Sequence, residues 1–183
     1  METPVAQITS LLGEHDRGTF RHSWRVSRLA VAIAVRLDAP PAQCEAAGLA
    51  GLLHDVGKLT VPTALITKPD ALTEAETRIM EAHAARGARI VGTFVPPAIT
   101  HVVAHHHDRV DASPTLPWMT RLVSVADTYD ALVSDRPYRP GRTLEAAARE
   151  LRRVAGTQLD GDMVEALIAT LGIPRRQLVD AGR

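Results

Sequence analysis

Histidine and aspartate recur along this 183-residue chain as His22, the pair His54-Asp55, His83, the run His105-His106-His107, and Asp127. Imidazole nitrogen and carboxylate oxygen together suit borderline divalent ions such as Mn, Fe, Co, Ni and Zn. The one cysteine, Cys44, leaves no clustered thiolates to compete for that role and reads as a packing residue. Singly, each candidate has an ordinary explanation: a helical histidine is more often hydrogen-bonded than ligating, and His54-Asp55 could be a helix-terminal pair. Asp127 is harder to dismiss, because it falls within an apolar stretch, where an unpaired buried carboxylate costs several kcal/mol unless neutralised or coordinated. Their joint occurrence points to a metal centre whose ligands come from several elements.

Those elements are helices. Trp24, Val26, Leu29, Ala30, Ile33 and Leu37 fall at helical spacing, and Asp38-Ala39-Pro40-Pro41 then breaks the run. An apolar helix over Cys44 to Leu53 delivers His54-Asp55 near its end, where Gly57 can release the backbone. Thr73 and Glu76 have capping-box spacing and should open the helix carrying Met80 and His83. Pro96-Pro97 starts a helix that runs through Ile99, Val102 and Val103 to the three histidines. A polar loop from Asp108 to Leu116 follows, and Pro117 opens the apolar stretch holding Asp127. Two more helices, about Leu144 to Val154 and Met163 to Leu171, are joined by Gly156-Thr157-Gln158-Leu159-Asp160-Gly161. No segment reads as a strand, a repeat or a linker.

Composition agrees with a single all-α domain. The chain is 45% hydrophobic and only 3% aromatic, so its core is built from Ala, Leu, Val and Ile, a mix that favours close helix packing. A formal net charge of zero gives no electrostatic footprint for duplex nucleic acid or an anionic membrane. The longest apolar run, Leu29 to Val35, is too short to cross a bilayer. With one cysteine no intramolecular disulfide forms, and a reducing cytoplasm is the expected setting. The only two lysines, Lys58 and Lys68, both fall in the stretch with the candidate chemistry.

The order His22, His54-Asp55-Val56-Gly57-Lys58, His83, His106-His107 and Val125-Ala126-Asp127 resembles the HD-domain metal-dependent phosphohydrolases, and within them the HD-GYP branch. Leu65-Ile66-Thr67-Lys68-Pro69, Ser134-Asp135-Arg136-Pro137-Tyr138-Arg139 and Gly156-Thr157-Gln158-Leu159-Asp160 extend the match over about residues 20 to 170. The resemblance implies a single-domain helical bundle of about seven to nine helices, with residues 1–17 as a helical extension and 18–173 as the catalytic core. It implies that His22, His54, Asp55 and Asp127 hold one metal and His83, His106 and His107 a second, with Asp55 bridging. The triple histidine permits a one-residue shift involving His105, although the following Asp108-Arg109-Val110-Asp111 favours 106 and 107. Fe or Mn is the expected metal, with Ni, Co or Zn as alternatives. Two close metals would lower the pKa of a shared water, so that hydroxide attacks the phosphate ester. Lys58 would contact a phosphate oxygen, and Arg109, Asp111, Arg136 and Arg139 would help to bind substrate.

Three departures qualify that reading. The branch's Gly-Tyr-Pro segment is absent, its place taken by Asp111-Ala112-Ser113-Pro114-Thr115-Leu116-Pro117. Gly18 stands where some relatives have a glutamate that helps to bind a third metal, so two metals are expected. Only about 20 residues precede His22, so regulation is expected from a separate protein or from the ligand, with a homodimer also open. The expected function is phosphodiester hydrolysis of a cyclic dinucleotide, cyclic di-GMP first. A phosphohydrolase of mononucleotides or another small phosphate ester, or a non-catalytic cyclic-dinucleotide-binding module, stands as the alternative.

Overall fold

The structure is a computed structural model and describes residues 3–135 and 140–173. In chain order the helices are α1 (Pro4–His15), α2 (Arg17–Arg36), α3 (Pro41–Leu53), a 3₁₀ helix (Val56–Thr60), α4 (Thr63–Ile66), α5 (Glu74–Glu81), α6 (His83–Val91), α7 (Pro97–His105), α8 (Trp118–Val133), α9 (Leu144–Val154) and α10 (Gly161–Thr170). No strand occurs among the described residues, where the one β-bridge pairs Ala155 with Leu159. The all-α bundle expected from the sequence is what the chain forms. No described helix is long and apolar enough to cross a membrane.

The helix starts follow local chemistry. The Thr73 hydroxyl accepts from the Glu76 amide while the Glu76 carboxylate accepts from the Thr73 amide, closing the capping box at α5. Prolines 96 and 117 are the N-caps of α7 and α8. His15 and Asp16, at the junction of α1 and α2, are structural. The Asp16 carboxylate accepts from the Thr19 amide at 2.6 Å to cap α2. His15 Nε2 donates to the Val61 carbonyl at 2.8 Å, which ties α1 to the end of the 3₁₀ helix.

α2 lies at the centre, against α3, α8 and α10. Its approach to α3 depends on Gly51, where a Cβ would stand 3.0 Å from the Ser27 Cα and 3.1 Å from its nitrogen. That proximity sets the end of α3 beside His22. Val26, Ile33, Leu53, Val56, Leu122 and Val125 are fully buried around the crossing. Each such aliphatic side chain contributes about 1.5–3 kcal/mol over its exposed state, so the scaffold beneath the histidines is held firmly.

Candidate metal centre

Three histidines are aimed by one local device. A helix leaves its last carbonyls without intrahelical partners, and an imidazole at the helix end can satisfy one of them. His54 Nδ1 donates to the Gly51 carbonyl at 2.7 Å, His83 Nδ1 to Met80 at 2.5 Å, and His106 Nδ1 to Val103 at 3.0 Å, in each case three residues back. Because a carbonyl only accepts, each of these Nδ1 atoms carries a proton, so the neutral tautomer of each ring turns a bare Nε2 to the interior. His54, His83 and His106 are all buried. Ser124 Oγ donates to the His106 carbonyl at 2.6 Å, fixing the end of α7 against α8.

The imidazoles surround Asp55, which is 2% exposed. Its Oδ2 lies 3.4 Å from His54 Nε2, 3.6 Å from His22 Nε2 and 2.6 Å from Lys58 Nζ. Its Oδ1 lies 3.2 Å from His83 Nε2. The two oxygens therefore face two separate groups of nitrogens. On one side, Asp127 Oδ1 is 3.0 Å from His22 Nε2 and 3.8 Å from His54 Nε2. On the other, His83 Nε2 is 3.4 Å from His106 Nε2 and 3.3 Å from His107 Nε2. All seven residues that the sequence marked as ligands thus converge.

This donor set fits divalent cations. His54 Nε2 is buried without a hydrogen-bond partner among the described residues. The bare Nε2 atoms of His83 and His106 face each other, an arrangement that a shared cation stabilises and a proton on both nitrogens does not. Burial, followed by nearby His54 and His107, pushes the His106 pKa well down, and burial lowers that of His107, so both rings stay neutral as ligands must. Burial would raise the Asp55 pKa, but the Lys58 ammonium at 2.6 Å leads the interactions that outweigh it and hold the carboxyl well below its usual range. The triads His22-His54-Asp55, His54-His106-Asp127 and His83-His106-His107 each have donor atoms close enough to hold a metal ion.

Sequence reasoning missed Asp130. It lies one turn beyond Asp127 on α8, is 2% exposed, and accepts from His22 Nδ1 at 2.7 Å. Arg25 clamps the same carboxylate with Nε at 2.6 Å and Nη2 at 2.8 Å. A second aspartate at i+3 in a buried apolar helix was the available signal. A carboxylate behind a ligating imidazole fixes its tautomer and orientation, so Asp130→Asn is expected to weaken metal binding by about 10–100-fold, measured by competition with a chromogenic chelator. Affinity equal to wild type would remove Asp130 from the centre.

A pH dependence follows for chelator-treated protein. Burial would depress the His22 pKa, but its hydrogen bonds to Asp127 and Asp130 outweigh that and raise it from 6.5 to about 9. A raised folded-state pKa contributes stability that is complete below the unfolded value and lost as pH climbs through the folded one. The urea midpoint of the metal-free chain is therefore expected to fall between about pH 6.5 and 9. Metal must displace the proton that His22 shares with Asp127, so uptake should tighten over the same window. A flat midpoint across it would contradict the arrangement.

The centre forms the floor of a cleft of about 730 Å³, lined among others by Arg25, Lys58, Lys68, Leu65, Ile66, Pro69, Leu72 and Met80. That volume suits a nucleotide-sized ligand. Lys68 is held by Glu76 at 2.7 Å, which braces the segment before α5. Arg109 and Asp111 are not brought to the cleft. They form an ion pair with each other at 2.7 Å on the exposed loop after the histidines, and neither lines the cavity. The Val110 and Asp111 amides donate to the Gln158 and Thr157 carbonyls, so that short loop is pinned to the segment between α9 and α10. Arg136 and Arg139 lie outside the described residues.

The family model for the HD domain matches residues 7–163. The chain belongs to the HD-domain family. This HD domain is 35% identical over 168 residues to a cyclic di-GMP phosphodiesterase of Pseudomonas aeruginosa, covering 86% of this chain and 40% of that protein. It is 32% identical over 182 residues to the 3'3'-cGAMP-specific phosphodiesterase 3 of Vibrio cholerae, covering 94% of this chain and 40% of the relative. The chain thus spans less than half the length of these curated relatives. Among solved structures, the HD domain of the phosphodiesterase PgpH from L. monocytogenes in complex with cyclic-di-AMP superposes with a TM-score of 0.69. At 20% identity it covers 91% of this chain and 95% of that one, a likeness of fold.

Proposed function

We propose that this HD domain is a metal-dependent phosphodiesterase that opens a cyclic dinucleotide, with cyclic di-GMP the first substrate to test. The observation that carries the reading is Asp55, a buried carboxylate whose two oxygens face two sets of inward-turned imidazoles on the floor of a nucleotide-sized cleft. His22, His54, Asp55 and Asp127 would hold one ion and His83, His106 and His107 the other, with Asp55 between them and Fe or Mn as the metals. Two ions held there would supply an acidified water and polarise the phosphoryl oxygens.

The chain's own residues complete the chemistry. Lys58, 22% exposed and 2.6 Å from Asp55, sets a positive charge at the floor of the cleft where a non-bridging phosphoryl oxygen would lie. Asp130 holds the His22 ring so that Nε2 faces the reacting region. Leu65, Ile66, Pro69, Leu72 and Met80 offer an apolar wall to a nucleobase while the metal side takes the phosphate. Residues 18–173 would form the catalytic core, with α1 bracing it through His15. The substrate class draws on the relatives, which are named for cyclic di-GMP and 3'3'-cGAMP. They share the cyclic dinucleotide backbone and differ in the bases.

The test is anaerobic purification, loading with Mn or Fe, incubation with cyclic di-GMP, 3'3'-cGAMP and a mononucleotide panel, and chromatographic analysis. A linear dinucleotide formed by wild type and absent with Asp55→Ala supports the proposal. Phosphate release from mononucleotides with intact cyclic dinucleotides would make the chain a small-ester phosphohydrolase. Tight binding without turnover under every metal would make it a binding module.

A further inference from the structure

The centre uses neither histidine of α7, His101 or His105. His101 and His105 are one turn apart on that helix, their ring centroids separated by 4.3 Å and their planes inclined by 31°. They belong to the outer side of the helix. His106 is 2% exposed and faces the centre, whereas the His105 side chain is 45% exposed. We propose that His101 and His105, oriented by Thr120 and Asp108, form a second divalent-cation site on the outer face of α7, separate from the cluster around Asp55.

Two histidines at i and i+4 on one helical face are a recurrent means of chelating zinc, because that spacing brings the rings side by side. Here both rings also have their other nitrogen engaged. His105 Nδ1 donates to Asp108 Oδ2 at 2.9 Å, a carboxylate-histidine pair of the kind that orients ligating imidazoles and raises their basicity. The bond fixes the His105 tautomer and leaves Nε2 bare in the neutral ring. His101 Nδ1 pairs with the hydroxyl of fully buried Thr120 at 3.2 Å, which ties that ring to α8. With Nδ1 engaged on both rings, Nε2 is the atom each can offer an ion. Two nitrogens sharing a tetrahedral ion at about 2.0–2.1 Å lie roughly 3.3 Å apart, a separation that rings at this spacing reach by small side-chain rotations.

The ligand chemistry selects the ion. Two imidazoles, completed by water, favour late first-row cations, zinc, nickel or copper, over magnesium or calcium. An ion there would link the last turn of α7, which carries His106 and His107 at its end, to α8 through Thr120 and to the following loop through Asp108. The site is open and shares no ligand with the centre, so its occupancy is set independently.

The test uses the full chain as wild type, His101→Ala/His105→Ala, Asp55→Ala, and the combination of all three changes. Each is dialysed to equilibrium against graded zinc, and bound zinc is counted by mass spectrometry. The double histidine variant is expected to bind one ion fewer per chain than wild type, and the same difference should appear in the Asp55→Ala background. A second measurement needs only wild type. Once the centre is filled, further zinc should shift the imidazole proton resonances of His101 and His105, and substoichiometric copper should broaden them. Equal zinc counts with and without the two histidines would overturn the proposal. So would unshifted His101 and His105 resonances through saturation, which decides the matter if a variant fails to fold.

Discussion

Gly57→Ala is expected to destabilise the protein by roughly 3–5 kcal/mol and to displace His83 from the centre. A Cβ at residue 57 would stand 1.9 Å from the His83 carbonyl oxygen and 2.7 Å from the Gly87 nitrogen. Both obstacles are backbone, so no rotamer change relieves the clash, and α6 must back away from the 3₁₀ helix. His83 opens α6, and its Nε2 sits 3.2 Å from Asp55. The same movement that relieves the overlap therefore pulls a donor from the site. For a chain of this size, 1 kcal/mol corresponds to about 2–4 °C in Tm, so a fall near 10 °C is the readout, together with loss of metal counted by mass spectrometry. A variant that melts within a degree or two of wild type and retains its metal would show that the contact yields easily.

Asp55→Asn should leave the fold standing and abolish the chemistry. The amide matches the carboxylate in shape but lacks the negative charge that faces the imidazoles of His22, His54 and His83. One of its two ends becomes a donor and can no longer ligate an ion. Bound metal is expected to fall well below the wild-type count, and the proposed phosphodiester cleavage by about 10²–10³ or more. Chelator-treated wild type and Asp55→Asn should then have similar melting temperatures, which separates loss of the centre from loss of the fold. Wild-type metal content in the variant would place the bridging role elsewhere.

Much of this protein was legible in its order of residues. Helical spacing of the apolar positions, the capping box at Thr73 and Glu76, and the prolines at 96, 97 and 117 located helices, because those signals act within a turn or two of chain. The ligand candidates were legible from their residue types and, as a set, from the resemblance of their order to the HD-domain pattern. A histidine at a helix end meets an orphan carbonyl three residues back, so local chemistry decides which of its nitrogens remains for other use. The motif also marked Gly57, but the reason differed from the one expected. No positive φ is involved, since among the described residues the glycines with that geometry are Gly156 and Gly172. Gly57 is required because the backbone of α6 passes against it.

What depended on the tertiary structure is what lies across space. Asp130 gains its role only when α2 brings His22 and Arg25 to α8, more than a hundred residues away in sequence. Arg109 and Asp111 sit within a few residues of the paired histidines, yet they pair with each other on the outer loop, because the backbone of residues 110 and 111 is tied to residues 157 and 158. His105 and His106 are chain neighbours of one residue type, and the helical turn of about 100° between them sends one to solvent and the other to the centre. Sequence by itself determined which residue types could bind metal and which helices carry them. Only the packing of those helices decided which carboxylate stands behind which imidazole, because distances between elements are set by close contacts such as those at Gly51 and Gly57, where a single added methyl group would hold two backbones apart.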